Sequence, residues 1–323
     1  MRNLTFLVII LAGLYGGYWF IGARAIKDNM IAGLADLRQS GWDVRYDEVE
    51  TIGFPSRFDT TITDIALRSS DQQFGWQGAF VQVFALSYQP NRFIAVLPQQ
   101  FSTVLQGQRF DVQNDRLRSS AAVKARRDLS LSEITVEADQ VQLSAPDGTI
   151  TRFDRGLAAI RASQQGENRY DIYLALDHVF STATMAGLPD TLTRVAIDGA
   201  VGFDRPLDRH GLAGTGAPPV LNTLELRNLT LDTPDLSLTA TGQVDIDALG
   251  VPEGRITLRT AQWRRLIDEL VTAGVIAPDM QRTVMNVAQA MVTGGDVLVL
   301  PVTFQNGFMS IGPLPLGPAP RLR

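Results

Sequence analysis

The side chains that could do chemistry are few and scattered. His178 and His210 are the only two histidines, and neither has a partner at a ligand spacing such as H-x-x-x-H. A zinc site would need carboxylates brought from elsewhere, so each imidazole reads as structural or solvated. The chain has no cysteine, which rules out disulfides, thiolate metal sites, cysteine-ligated iron–sulfur clusters and a cysteine nucleophile. No G-x-S-x-G nucleophile elbow is present. Gly211-Leu212-Ala213-Gly214-Thr215-Gly216 has the wrong spacing for a dinucleotide loop and lacks the Lys-Ser/Thr of a P-loop, so it reads as a plain loop. Asp245-Ile246-Asp247 hints at a calcium loop, but the required Gly and distal Glu are missing, which leaves strand and turn acids. Lys124-Ala125-Arg126-Arg127 is a short basic cluster that suits an exposed loop, or anionic headgroups if it lies beside a membrane. Carboxylate pairs of the glycosidase kind cannot be matched from sequence. The net charge of −5 supplies no basic field to draw in nucleic acid. No cofactor and no metal is called for, and the expectation is a protein that is not an enzyme.

The elements that would carry any function are more legible. Leu4 to Ile21, LTFLVIILAGLYGGYWFI, contains no charged residue. As a helix it is about 27 Å long, close to the hydrocarbon thickness of a bilayer. Tyr15, Tyr18 and Trp19 gather at its exit end, where amphipathic rings favour the membrane–water interface, and are the expected membrane-interface anchors. A cleaved signal peptide would have a shorter apolar core, about 7–15 residues, although Ala23-Arg24-Ala25 fits the A-x-A cleavage pattern. A buried core helix is the remaining reading. The flanking charges are nearly balanced, with Arg2 and the α-amino group before the run and Arg24 and Lys27 after it. The three-residue N-terminal tail suits a signal-anchor that feeds the body across the membrane. The expected location is the inner membrane, single-pass, with the body in the periplasm.

Behind the anchor, Ile26, Met30, Ile31, Leu34 and Leu37 recur at helical spacing, and Gly41 is a plausible C′ residue. That stripe packs on the body or lies on the membrane surface. From Trp42 the period becomes alternating. Gly53 and Pro55 punctuate the run ahead of a strand around Thr60 to Leu67 and suggest an edge, bulge or kink, and Phe80 to Leu97 reads as a hairpin turning at Gln89-Pro90-Asn91-Arg92. Ile134 to Leu143 changes parity near Asp139-Gln140, which predicts a bulge or a short turn there. Tyr170, Ile172, Leu174 and Leu176 share one face of a strand, as do Leu236, Leu238, Ala240, Val244 and Ile246. Thr260 to Ala277 is helical, with Trp263, Leu266, Ile267, Leu270 and Val271 as its stripe. Pro278 opens a second helix, with Val284, Val287, Ala288 and Met291 on its apolar face and Gly294-Gly295 closing it. Asn306-Gly307 predicts a type I′ turn that sets Phe304 opposite Met309 and Val302 opposite Ile311. The proline-rich tail, Gly312 to Pro320, cannot continue a central strand.

Several stretches together resemble the DUF2125 family, uncharacterised proteins of alphaproteobacteria. They are Gly17-Tyr18-Trp19-Phe20, then Gly53-Phe54-Pro55-Ser56-Arg57-Phe58-Asp59-Thr60, Gln82-Val83-Phe84-Ala85-Leu86-Ser87-Tyr88-Gln89-Pro90-Asn91, and Gly312-Pro313-Leu314-Pro315-Leu316-Gly317-Pro318-Ala319-Pro320. The resemblance spans nearly the whole chain. It marks Gly53, Phe54, Pro55, Pro90 and Asn91 as family-motif residues of unknown role, and it transfers no catalytic residue. More loosely, an anchor followed by a long β-rich body is similar to AsmA-like envelope proteins, which are associated with lipid movement or outer-membrane homeostasis.

These readings combine into one expectation. The fold is mainly β with some α: a curved antiparallel sheet body, an N-terminal transmembrane helix and a C-terminal helical hairpin. Residues 1–23 form the anchor, 24–41 a juxtamembrane helix and 42–323 the extracytoplasmic body, with a candidate seam at 204–219. The expected function is to bind membrane lipid or another apolar ligand in a groove of the sheet. The alternative is a structural protein that docks another envelope protein through a sheet edge or the helix Trp263–Val271.

Overall fold

The computed structural model describes residues 2–126, 129–183, 189–208, 218–272, 274, 276–293, 296–311 and 314–322. His210, Arg127, the glycine loop at 211–216, Gly294-Gly295 and Gly312-Pro313 lie outside the described residues, as does most of the candidate seam. The fold is mostly β, with 54 % strand and 21 % helix, and its nineteen described strands form one antiparallel sheet. Two compact units divide the chain. Unit 1 is Met1–Val123 with Val136–Gly148, and unit 2 is Lys124–Thr135 with Thr149–Arg323. The division thus falls either side of 124–135 and after 148, and the described parts of 204–219 belong to unit 2.

In unit 1, the segments expected as an anchor and a juxtamembrane helix are one element, α1 (Arg2–Gln39), unbroken through Gly22. It ends as the sequence predicts. The Trp42 N–H bonds Leu37 O at 3.1 Å and the Gly41 N–H bonds Arg38 O at 3.0 Å, the paired bonds that close a helix on a left-handed glycine. Eight strands follow: β1 (Asp43–Arg45), β2 (Val49–Ile52), β3 (Arg57–Arg68), β4 (Phe74–Leu86), β5 (Gln89–Val96), β6 (Gln100–Leu105), β7 (Gln108–Gln113) and β8 (Arg116–Val123). A ninth, β9 (Leu131–Ser144), enters both units. Leu34 of α1 is buried with Val44, Val49, Ile62 and Ile65, and Met30, Ile31 and Leu37 pack around them. The helical stripe therefore lies on the sheet. Each fully buried side chain of this kind stabilises the fold by about 1.5–3 kcal/mol.

The expected hairpin exists, but its turn is Ser87-Tyr88, three residues earlier than Pro90-Asn91, which lie at the start of β5. Ser87 is held there by bonds outside the hairpin. Its N–H donates to Ser56 O at 2.9 Å, and its hydroxyl lies 3.3 Å from Pro55 O. Pro90 precedes the residues of β5 that pair with β8, so its missing N–H breaks no ladder bond there. In β9 the parity change falls at Gln140, which has a φ of 48°.

Unit 2 is built from long strands: β10 (Ile150–Ala162), β11 (Arg169–Ser181), β12 (Thr191–Phe203), β13 (Leu221–Asp232), β14 (Ser237–Ile246) and β15 (Pro252–Thr260). Then come α2 (Trp263–Thr272), a 3-10 turn at Pro278–Met280 and α3 (Gln281–Met291), followed by β16 (Val292–Thr293), β17 (Val297–Gln305), β18 (Phe308–Ile311) and β19 (Leu314–Pro318). Pro278 opens the second helical segment as its chemistry requires. The helical hairpin closes on its own core. Trp263 is fully buried with Ile267, Ala288 and Leu298, and Val271, Val284 and Met291 pack on them. Val287, expected on this face, is exposed instead. At the end of the chain Asn306 and Gly307 both take positive φ, 53° and 75°, and the pairs Phe304↔Met309 and Val302↔Ile311 form as predicted. The proline-rich tail does form a strand, β19, paired with β18 through an irregularity at Met309/Ser310.

Candidate functional site

Two apolar features stand out, one in each unit. The first is the seat of α1. Tyr15, Tyr18 and Trp19 turn toward unit 1. The Tyr15 hydroxyl lies 2.8 Å from Ser87 Oγ, the Tyr18 hydroxyl donates to Ser87 O at 2.6 Å, and Trp19 Nε1 donates to Arg57 O at 2.7 Å. Trp19 is 5 % exposed and stacks on Phe58 at 5.9 Å, with Phe20 and Phe54 edge-on to it. Gly22 lets Phe58 in, because a Cβ there would stand 2.8 Å from Phe58 Cζ. The structure therefore brings these three aromatic residues together with Phe54 and Pro55 of the β2–β3 turn, where Gly53 takes a φ of 107°. Pro90 and Asn91 are not part of this cluster, and Asn91 Nδ2 donates instead to Val123 O at 3.1 Å. Sequence reading missed Ser87, Arg57 and Phe58 as the other half of the seat.

The second feature is one face of the unit 2 sheet. Residues directly paired in an antiparallel ladder point the same way. Ala158, Leu174, Ile197, Leu229, Ala240, Leu258 and Leu300 form one unbroken row across seven strands. A neighbouring row runs Ile160, Ile172, Gly199, Leu226, Gly242, Ile256, Val302 and Ile311. Another runs Leu176, Val195, Leu231 and Leu238. Eight strands at about 4.8 Å spacing make a face roughly 34 Å wide. Leu174, Ile197, Leu229, Ile172, Leu226 and Ile256 are half-buried. One margin is covered by the helical hairpin at Leu298 and Leu300, and Leu131 and Leu207 pack at Tyr170.

The opposite face of the same strands is charged. A bulge in β13 puts Arg227 and Asn228 where one residue would fit. Arg227 reaches Asp171 at 2.9 Å, Asp198 at 2.8 Å and Gly199 O at 2.7 Å. Asp171 also faces Arg161 at 3.7 Å, and Arg169 pairs with Glu225. A shallow cavity of about 450 Å³ opens over Asp171, Asp198 and Arg227. In unit 1 a similar cavity of about 430 Å³ opens over Arg109 and Asp111. The Ser102 hydroxyl, with Arg109 beside it, holds the Asp111 carboxyl below its usual range. In both places the charges answer one another.

The remaining residues singled out by type are placed apart. His178 Nδ1 lies 3.2 Å from Asp154, with both side chains exposed. Asp245 is an exposed strand residue, and the Asp247 carboxylate accepts the Leu249 and Val251 N–H groups at 2.8 and 2.9 Å, as a turn acid does. Among the described residues no group of three or more His, Asp or Glu is disposed to hold a metal ion.

α1 is long and apolar enough to cross a membrane. Searches among curated proteins and among solved structures find no match. A model of the DUF2125 family matches residues 19–320, from the seat tryptophan to the proline-rich tail. The chain thus belongs to DUF2125, a family of uncharacterised proteins conserved in bacteria.

Proposed function

We propose that this protein is a non-enzymatic envelope factor, held in the inner membrane by a retained α1, that carries acyl chains on the apolar face of unit 2. The observation that carries the reading is that face: three adjoining rows, continuous over up to eight strands, with only aliphatic residues and glycine in their half-buried middle. Monomeric proteins rarely leave an apolar patch larger than a few hundred Å² without a use for it. Each buried methylene of a lipid chain is worth about 0.8 kcal/mol, so even part of a chain laid across the face binds usefully.

Retention of α1 is supported by the seat. Cleavage after Ala25 would discard Trp19 and Ala23, which are buried against Phe58. In this reading the body lies on the periplasmic side. Docking of another envelope protein through Trp263–Val271 has less support, because Trp263 and Ile267 face the protein's own core.

The test is photocrosslinking in membranes of the full chain, with a photoreactive residue at Leu229 or, as control, at exposed Gln243 on the opposite face. A lipid adduct at 229 and none at 243 is the expected result. Equal labelling at both sites, or none at 229, overturns the reading.

A further inference from the structure

We propose that unit 1 does not hang from the membrane on a stalk but is seated in it, with the β2–β3 turn and the Ser87-Tyr88 turn inserted among lipid headgroups and upper acyl chains. The inference rests on reading α1 as a membrane anchor. It concerns a lipid-contacting surface of the body that the anchor alone does not imply.

The first argument is length. The apolar run ends at Ile21, but contact with unit 1 begins at Tyr15. Only Leu4–Leu14 stands clear, about 16 Å of helix, and its large side chains are more than half exposed. A bilayer core is about 30 Å thick. A helix that crosses it must carry residues 15–21 into lipid, and the two turns bonded to them go with it.

The second argument is composition. No charge occurs between Arg2 and Arg24, between Glu50 and Arg57, or between Asp71 and Arg92. Three uncharged stretches therefore meet at one end of unit 1. The side chains they present outward suit lipid: Phe20 is 65 % exposed, Ile52 55 %, Phe54 55 % and Tyr88 70 %.

The third is satisfaction of polar groups, which lipid demands because it offers no hydrogen bonds. Ser87 bonds through its N–H, its carbonyl and its hydroxyl, Trp19 Nε1 has Arg57 O, and Pro55 has no N–H to satisfy. Arg57, paired with Asp59 at 2.8 Å, is the first charge past the turn and is long enough to keep its head at the headgroup level.

The chain has no cysteine, so single-cysteine labelling is clean. The full-length protein is reconstituted into phosphatidylethanolamine–phosphatidylglycerol vesicles with an environment-sensitive fluorophore at Phe54→Cys, Tyr88→Cys, Leu11→Cys or Ser70→Cys. Lipids carrying a nitroxide high or low on the acyl chain serve as quenchers. Positions 54 and 88 are expected to lose emission to the shallow quencher and 11 to the deep one, while 70, in the turn at the other end of β3, keeps its emission. Quenching at 11 with none at 54 or 88 overturns the seat and leaves the anchor standing. No quenching at 11 overturns the anchor and the seat with it. Tyr88 is the most exposed of these rings, so Tyr88→Cys serves if Phe54→Cys does not fold.

Discussion

The α1 seat and the unit 2 face are both apolar, and they are finished in opposite ways. At the seat the Tyr15 and Tyr18 hydroxyls and Trp19 Nε1 each have a designated partner, and Trp19 and Phe58 are almost wholly buried. On the unit 2 face the aliphatic side chains carry no polar atoms and are half-buried over several strands. The first arrangement locks one geometry. The second offers a surface without a direction of its own, as suits a ligand recognised by its chain and not by a pattern of hydrogen bonds. The charges of unit 2 sit on the other side of the same strands, where Arg227 ties β11, β12 and β13 together. Charge pairing and apolar surface thus lie on opposite faces of one sheet.

Substitutions can break this contrast. The largest effect is expected at Trp263, which lies in a closed core and not on the open face. Trp263→Ala should destabilise by about 3–5 kcal/mol, read as a lower denaturation midpoint, with hydrogen exchange at the α1 seat unchanged. At the seat, Gly22→Leu forces a side chain into Phe58 and should cost about 1–3 kcal/mol. Gly17→Leu, with nothing within 4 Å of its Cβ, should leave the seat intact. Equal effects at 17 and 22 would mean that the helix does not dock as described. Trp19→Phe keeps a ring but removes the bond to Arg57 O, a loss of about 0.5–1.5 kcal/mol, measurable by faster exchange in the β2–β3 turn. On the open face Leu229→Lys should change folding less than Trp263→Ala does, because its side chain already reaches solvent, yet it should abolish the lipid adduct.

The smallest effect is a pH dependence. Burial pushes the Tyr170 hydroxyl above its ordinary value of 10.0, against the opposing pull of the Leu207 N–H bond, and Asp208 adds to the rise. The folded state therefore favours the neutral phenol. Its contribution is whole below pH 10 and is lost as pH rises through the raised value. The stability difference between wild type and Tyr170→Phe should narrow in alkaline titration, and a constant difference would exclude the linkage.

How much of this could be read from the residues alone differs between the regions. Periodicity located some of the strands, those at Ile134–Leu143, Tyr170–Leu176 and Leu236–Ile246 among them, and both C-terminal helical segments, and Asn306-Gly307 fixed a register because the turn admits only one. The hairpin turn at Ser87-Tyr88 was misplaced because Pro90-Asn91 has better local turn chemistry. What overrode it was tertiary: Ser56, Pro55 and two tyrosines of α1 all bond Ser87. Tyr15, Tyr18 and Trp19 were legible as amphipathic rings, but their partners lie 38 to 72 residues away. The shared apolar face had a signal that single strands hide. Leu224 and Leu226 keep one parity and Leu229 and Leu231 the other, with Arg227-Asn228 between them, which is how a bulge keeps leucines on one side.

The unbroken course of α1 into its seat has a consequence for motion. A body on a flexible tether samples a hemisphere of orientations, and every encounter in the membrane plane must first find the right one. Here unit 1 turns only as the helix turns. The orientational entropy is given up once, at folding, and not again at each meeting. With α1 held in a membrane as proposed, two such molecules meet with the search reduced to lateral diffusion and spin about a single axis.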